Sequence, residues 1–71
     1  MNYILFNDGR YVSNNFNILE RYDSNVLRIT TPTDSFDFHF QTPKEVFVAV
    51  TNFTDKGFLN LSNFKRPVGL N

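Results

Sequence analysis

The N-terminal part of the chain alternates short apolar runs with polar turn signals. The apolar run at residues 3–6 predicts a first strand. Asp8 and Gly9 follow it, and both residues tolerate the backbone conformations that tight hairpin turns require. Residues 10–12 then predict a short returning strand. The sequence therefore begins with a predicted β-hairpin.

A second hairpin is predicted in the next part of the chain. Residues 16–22 alternate in part between apolar and polar positions, and residues 26–31 are rich in the β-branched side chains that favour strands. A polar turn lies between the two runs. Residues 31–34 contain Pro32, whose fixed φ suits a further turn, so the chain is expected to reverse direction again.

The clearest pattern in the chain is an alternation of phenylalanine with polar residues. It places Phe36, Phe38 and Phe40 on one face of a predicted strand, because side chains alternate between faces with a period of two. The opposite face carries Asp37 and His39. One face of this strand is therefore entirely aromatic, and the other is polar.

The segment from residue 42 to residue 57 carries two conflicting signals. Thr42 can cap a helix, Pro43 suits the first helical position, and Glu45 completes a capping box. Gly57 suits the position just after a helix. The run at residues 46–53 is nevertheless rich in β-branched and aromatic residues, which favour a strand.

The signals at both ends favour the helix, over about residues 43–56. Such a helix presents one apolar stripe, made of Val46, Ala49, Val50 and Phe53. We expect this stripe to pack on the phenylalanine face of the sheet. The alternative is an all-β, barrel-like meander in which residues 46–53 form a strand.

The last predicted strand lies at residues 57–61, and the polar residues 63–71 are expected to form a loose tail. The fold class is therefore α+β, a small single domain at residues 1–62. It consists mainly of an antiparallel sheet of four to six strands with one helix.

Size and composition limit how such a domain can be stabilised. The chain has 71 residues, no cysteine and one histidine, which excludes disulfides and cysteine-bound zinc. Small domains usually need an additional stabilising feature, such as disulfides, a metal ion or a partner chain. Aromatic residues make up 17% of the chain, more than a small core easily buries. We therefore expect self-association, with a homodimer as the simplest form.

The charges balance, with seven basic and seven acidic residues. Non-specific binding of nucleic acid depends on excess positive charge, which this chain lacks. No apolar run is long enough to span a membrane, and the first residues lack the basic region of a signal peptide. We expect an unprocessed cytoplasmic protein. Ten asparagines and nine phenylalanines are typical of AT-rich genomes, and suggest a phage or mobile-element origin.

The sequence contains no convincing catalytic group. Asp37 and His39 share a strand face, and a His–carboxylate pair is half of many catalytic sites. A solvated outer face explains the same two residues, and no serine motif accompanies them. We expect no enzymatic activity, no cofactor and no metal site.

A protein-interaction module is the function that these observations favour. It would be a small accessory or inhibitory protein that binds and covers a partner protein. Interfaces favour Tyr, Phe and Arg, and the residues predicted to contact the partner are Tyr11, Arg21 and Tyr22.

A single-stranded nucleic-acid-binding domain is the alternative. The bases of the bound nucleic acid would stack on a sheet face. Its phosphates would contact the basic pair near the C-terminus. The residues of this alternative site are Phe36, Phe38, Phe40, Lys65 and Arg66.

Overall fold

A computed structural model describes residues 2–12 and 16–70 of the chain. The prediction of a small α+β domain with one helix and four to six strands is confirmed. The strands form two separate three-stranded sheets. In chain order the elements are β1 (Tyr3–Phe6), β2 (Gly9–Val12), β3 (Ile18–Asp23), β4 (Val26–Thr30), β5 (Ser35–His39), α1 (Pro43–Lys56) and β6 (Phe58–Leu61).

The first sheet has the strand order β2-β1-β6. The predicted N-terminal hairpin is present, and Gly9 adopts a φ of 118°, in the region that glycine tolerates best. The pairing of β1 with β6 is parallel, with Ile4 opposite Leu59 and Phe6 opposite Leu61. A parallel pair needs a long connection, and here the connection contains the second sheet and the helix.

The second sheet is an antiparallel meander with the order β3-β4-β5. Its central strand β4 points Leu27 and Ile29 into the interior, where both are fully buried. The register of β3 against β4 shifts between Arg21 and Asp23. A bulge of this kind leaves one residue unpaired and redirects side chains, and the residue between them is Tyr22.

The helix begins and ends where its signals predicted. Thr42 and Glu45 form the capping box, with the Glu45 amide donating to Thr42 Oγ1 at 3.4 Å and the Thr42 amide donating to Glu45 Oε1 at 3.1 Å. Gly57 follows the helix in the left-handed conformation, at a φ of 77°. The alternative of a strand over residues 46–53 is wrong. No helix within residues 2–12 and 16–70 is long and apolar enough to cross a membrane.

Both sheets and the helix contribute to one hydrophobic core. The helix buries Val46 and Ala49 as predicted, and Phe38 and Phe40 of the phenylalanine face lie in the same cluster. The helix packs mainly against β6 and next against β4, so the expectation that its stripe packs on the phenylalanine face of β5 is corrected. The core residues are Ile4, Phe6, Leu27, Ile29, Phe38, Phe40, Val46, Ala49, Leu59, Leu61 and Leu70.

The described part of the C-terminal segment also packs on this core. Leu70 is only 2% exposed, and the Phe64 ring lies edge-on to Phe40 with the ring centroids 5.0 Å apart. The Asn7 amide donates a hydrogen bond to the Phe64 carbonyl at 3.2 Å. These contacts correct the expectation of a loose tail, which rested on polar composition and overlooked two large apolar side chains.

Candidate functional site

The outer face of the second sheet carries an ordered ion pair. Arg28 lies on the central strand β4, directly opposite Asp37 on β5. Its Nε and Nη2 atoms donate to the two Asp37 carboxylate oxygens at 2.7 and 2.9 Å. This bidentate geometry fixes the plane of the guanidinium. The Arg28 and Asp37 side chains remain 27% and 33% exposed, so the pair is accessible from outside.

A tyrosine ring stacks on the same guanidinium. The Arg28 Cζ atom lies 3.4 Å from the centroid of the Tyr22 ring, within the range of a cation–π contact. Tyr22 reaches this position at the bulge in β3, and 56% of its surface is exposed. Tyr22, Arg28 and Asp37 therefore form one continuous row across the three strands, which we call the Tyr22–Arg28–Asp37 row.

The electrostatics of the row follow from these contacts. Hydrogen bonds from Arg28 hold the pKa of Asp37 below its usual value, since they stabilise the charged carboxylate. The same hydrogen bonds raise the pKa of Arg28. Both groups therefore remain charged at neutral pH, and the row presents a fixed cation flanked by an aromatic ring and a carboxylate.

The structure does not bring the three predicted partner-binding residues onto one surface. Tyr22 belongs to the row, but Tyr11 lies on the first sheet and packs against Phe6, with ring centroids 6.3 Å apart. Its hydroxyl is buried and has no hydrogen-bond partner among the described residues. Burial raises the pKa of Tyr11, and the nearby Arg66 guanidinium acts in the opposite direction.

Arg21 precedes Tyr22 in the chain, but its side chain binds the backbone of the adjacent turn. Its Nε and Nη2 atoms donate to the Ser24 carbonyl at 3.1 and 2.7 Å. Arg21 is exposed at the end of β3. Its guanidinium is nevertheless already bound to the backbone of its own chain.

The residues of the nucleic-acid alternative are also separated. Phe38 and Phe40 are 4% and 7% exposed, and Phe36 is half-buried against the core. Stacking on a base requires an exposed ring face, so Phe38 and Phe40 form core rather than a stacking platform. Lys65 is exposed, whereas Arg66 contacts Asp8 at 3.4 Å and lies over the Tyr11 ring.

A cleft of about 360 Å³ lies beside the start of α1 and has His39, Gln41 and Glu45 among its lining residues. The Glu45 carboxylate in it accepts hydrogen bonds from the Thr42 amide and hydroxyl in the capping box. An open cleft of about 260 Å³ lies between the start of α1 and β6, and Lys44, Glu45 and Asn60 are among its lining residues. Asp37 is held by Arg28 and is not paired with His39 by a hydrogen bond. Residues 2–12 and 16–70 contain no cluster of three His, Asp or Glu that could hold a metal ion.

Arg28 is the residue that the sequence analysis missed. The signal for it was present, because a turn at residues 31–34 pairs Thr30 with Ser35 and so places Arg28 opposite Asp37. The position of Tyr22 over Arg28 had no comparable signal. It depends on a bulge that alternation alone does not predict.

We compared the chain with protein-family models, curated proteins and solved structures. No protein-family model, curated protein or solved structure matches it. The architecture is a small α+β domain of two three-stranded sheets and one helix.

Proposed function

We propose that this protein is a non-enzymatic interaction module that binds a partner protein through the Tyr22–Arg28–Asp37 row. It acts by covering the partner's surface, as an accessory or inhibitory protein does. The cytoplasmic location and the phage or mobile-element origin, both suggested by the sequence, are part of this proposal.

The observation that carries the proposal is the exposed tyrosine stacked on an immobilised arginine. Tyrosine and arginine are enriched among the residues that dominate binding energy at protein interfaces. Asp37 already holds the Arg28 guanidinium in one orientation, so binding costs less side-chain entropy than it does for a free arginine. A ring that is 56% exposed offers a flat apolar contact beside this charge.

The nucleic-acid alternative draws less support from the geometry. Two of its three phenylalanine rings are buried in the core. Arg66 lies next to an acidic side chain, so little net positive charge remains at the C-terminal end. Phosphate contacts supply most of the affinity of non-specific nucleic-acid binding, and this surface offers few of them.

The test is affinity capture from an extract of the organism that carries the gene, with the full chain immobilised. Wild type, Tyr22→Ala and Val68→Ala are compared in parallel, with and without nuclease treatment. Val68 is 99% exposed and belongs to the C-terminal segment rather than to the second sheet, so its variant controls for loss of exposed apolar area. Circular dichroism checks that each variant is folded.

We expect one protein to be captured in stoichiometric amounts by wild type and by Val68→Ala. Its capture by Tyr22→Ala should fall by about tenfold or more, as for other central interface tyrosines. Equal capture by Tyr22→Ala would exclude this row as the binding surface. Captured proteins that disappear after nuclease treatment would instead identify nucleic acid as the ligand.

A further inference from the structure

The outward face of α1 is a second surface, on which four side chains are exposed and two, Thr51 and Asn52, are half-buried. At 100° per residue, Lys44, Thr51 and Asp55 lie opposite the buried Val46 and Ala49. Two large apolar side chains lie beside them, with Phe47 64% exposed and Val48 45% exposed. We call this surface the outer helix face; it consists of Lys44, Phe47, Val48, Thr51, Asn52 and Asp55.

The charges of the outer helix face oppose the dipole of their own helix. Lys44 lies in the first turn, near the positive end, and Asp55 lies in the last turn, near the negative end. Neither takes part in an ion pair within residues 2–12 and 16–70. The two charged residues with the favourable order, Glu45 and Lys56, lie to the side of this face. Within one chain, this placement of Lys44 and Asp55 is unfavourable.

We propose that a second copy of this chain covers the outer helix face, with the two helices antiparallel about a two-fold axis. In a two-fold interface the same patch meets itself, so residue i contacts residue j twice. The axis crosses the helix pair at the level between Ala49 and Val50 along the chain. Lys44 of each copy then lies opposite Asp55 of the other. Each of these charges then lies near the end of the partner helix whose dipole it complements.

The same arrangement places the apolar residues of this face in the centre of the interface. Phe47 and Val48 of each copy then lie between the two Lys44–Asp55 contacts. Apolar side chains lie inside and opposite charges lie at both ends, which is the usual order of a protein interface. A parallel arrangement would instead bring like charges together at each end. The pattern of charges therefore selects the antiparallel dimer.

The interface is small, so the dimer is expected to be weak. A helix of 14 residues is about 21 Å long at a rise of 1.5 Å per residue. Its exposed stripe is smaller than the roughly 800 Å² per partner of standard stable complexes. We therefore expect a dissociation constant in the range of about 10 μM to 1 mM.

Sedimentation velocity and NMR diffusion of the full chain, over concentrations up to about 1 mM, measure this equilibrium. Two charge-reversal variants, Lys44→Glu and Asp55→Lys, are compared with their combination. Each single change sets like charges against each other across the interface, and the combination restores opposite charges. Each change also complements the dipole of its own helix, so it should not unfold the monomer.

We expect each single reversal to raise the dissociation constant by about tenfold at low salt, because each dimer contains two such contacts. The combined variant should return to within about threefold of wild type. Phe47→Ala should raise the constant by roughly 30-fold or more. Tyr22→Ala, which alters the other surface, should leave the constant unchanged.

Three results would overturn the proposal. The first is a wild-type chain that stays monomeric at about 1 mM. The second is a dimer that persists unchanged in Phe47→Ala, which would place its interface elsewhere. The third is a combined charge variant that associates no better than the single reversals, which would exclude the antiparallel pairing of Lys44 with Asp55.

Discussion

The guanidinium of Arg28 lies 3.4 Å from the centre of the Tyr22 ring, on the solvent side of a three-stranded sheet. The contact joins a central strand to a bulged edge strand, and Asp37 binds the same guanidinium from the other edge. A single arginine therefore connects all three strands on the face that the core does not reach. This contact holds the Arg28 guanidinium in one orientation, which is the basis of the binding surface proposed above.

The stacking of Tyr22 on Arg28 predicts energetic coupling between the two residues. Lysine keeps the charge of arginine but loses the planar group that stacks and forms the bidentate pair. Arg28→Lys should therefore lower the free energy of unfolding by more in the wild-type chain than in the Tyr22→Leu variant. Urea unfolding of the four chains of this double-mutant cycle measures the difference. If Arg28→Lys lowered the free energy of unfolding equally in both backgrounds, the Tyr22 ring would stabilise the fold only through the apolar area that it covers.

The ion pair of Arg28 with Asp37 predicts loss of stability in acid. The pKa of Asp37 is lowered in the folded protein, so its contribution is present above its ordinary value of 3.8 and is lost as the pH falls through the folded pKa. Asp37→Asn should be less stable than wild type at pH 7, and the difference should shrink below pH 3.8. Thermal unfolding at several pH values measures it. Asp34→Asn, in the loop before β5, controls for the change in net charge.

The burial of Leu70 predicts that the C-terminal segment contributes to stability. Leu70→Ala should reduce the free energy of unfolding by about 2–4 kcal/mol, the usual cost of emptying a buried leucine site. Val68→Ala, two residues away and 99% exposed, should change it by less than about 0.5 kcal/mol. Urea unfolding of both variants measures the free energy of unfolding and shows whether the buried side chain of this segment stabilises the fold. A loose tail would make the two variants equal.

The buried hydroxyl of Tyr11 predicts a stabilising substitution. The group has no hydrogen-bond partner among the described residues, and a buried unsatisfied polar group costs stability. Tyr11→Phe removes that group, keeps the ring, and should raise the free energy of unfolding by about 0.5–1 kcal/mol. Because its pKa is raised in the folded state, wild type should also lose stability above pH 10 relative to this variant. A drop in stability at neutral pH would indicate a hydrogen bond to water.

Local signals in the sequence were sufficient for most of the secondary structure. The capping box of Thr42 and Glu45, together with Gly57 after the last turn, defined the helix against the β-branched composition of its middle. Helix propensities differ by only a few tenths of a kcal/mol per residue, so two good caps and an apolar stripe outweigh them. The alternation around Phe38 defined β5 in the same way, because a period of two is a property of any single strand.

The candidate surface could be predicted only in part. Tyr22 was named from its residue type, and Arg28 could have been found by aligning β4 with β5 across their turn. Tyr11 was named for the same reason as Tyr22, but its ring packs on Phe6. Aromatic residues suit cores and interfaces equally well, so residue type alone does not separate the two roles.

The sequence by itself determined where the chain turns, where its helix begins and ends, and which residues of each strand share a face. These properties depend on neighbours within a few positions. The tertiary structure alone decided that β1 pairs with β6 in parallel, that Leu70 enters the core, and that Tyr22 lies over Arg28. The first two features join distant parts of the chain and depend on how the whole core closes, which no local pattern of residues specifies. The third lies within one hairpin and depends on a bulge that alternation does not predict.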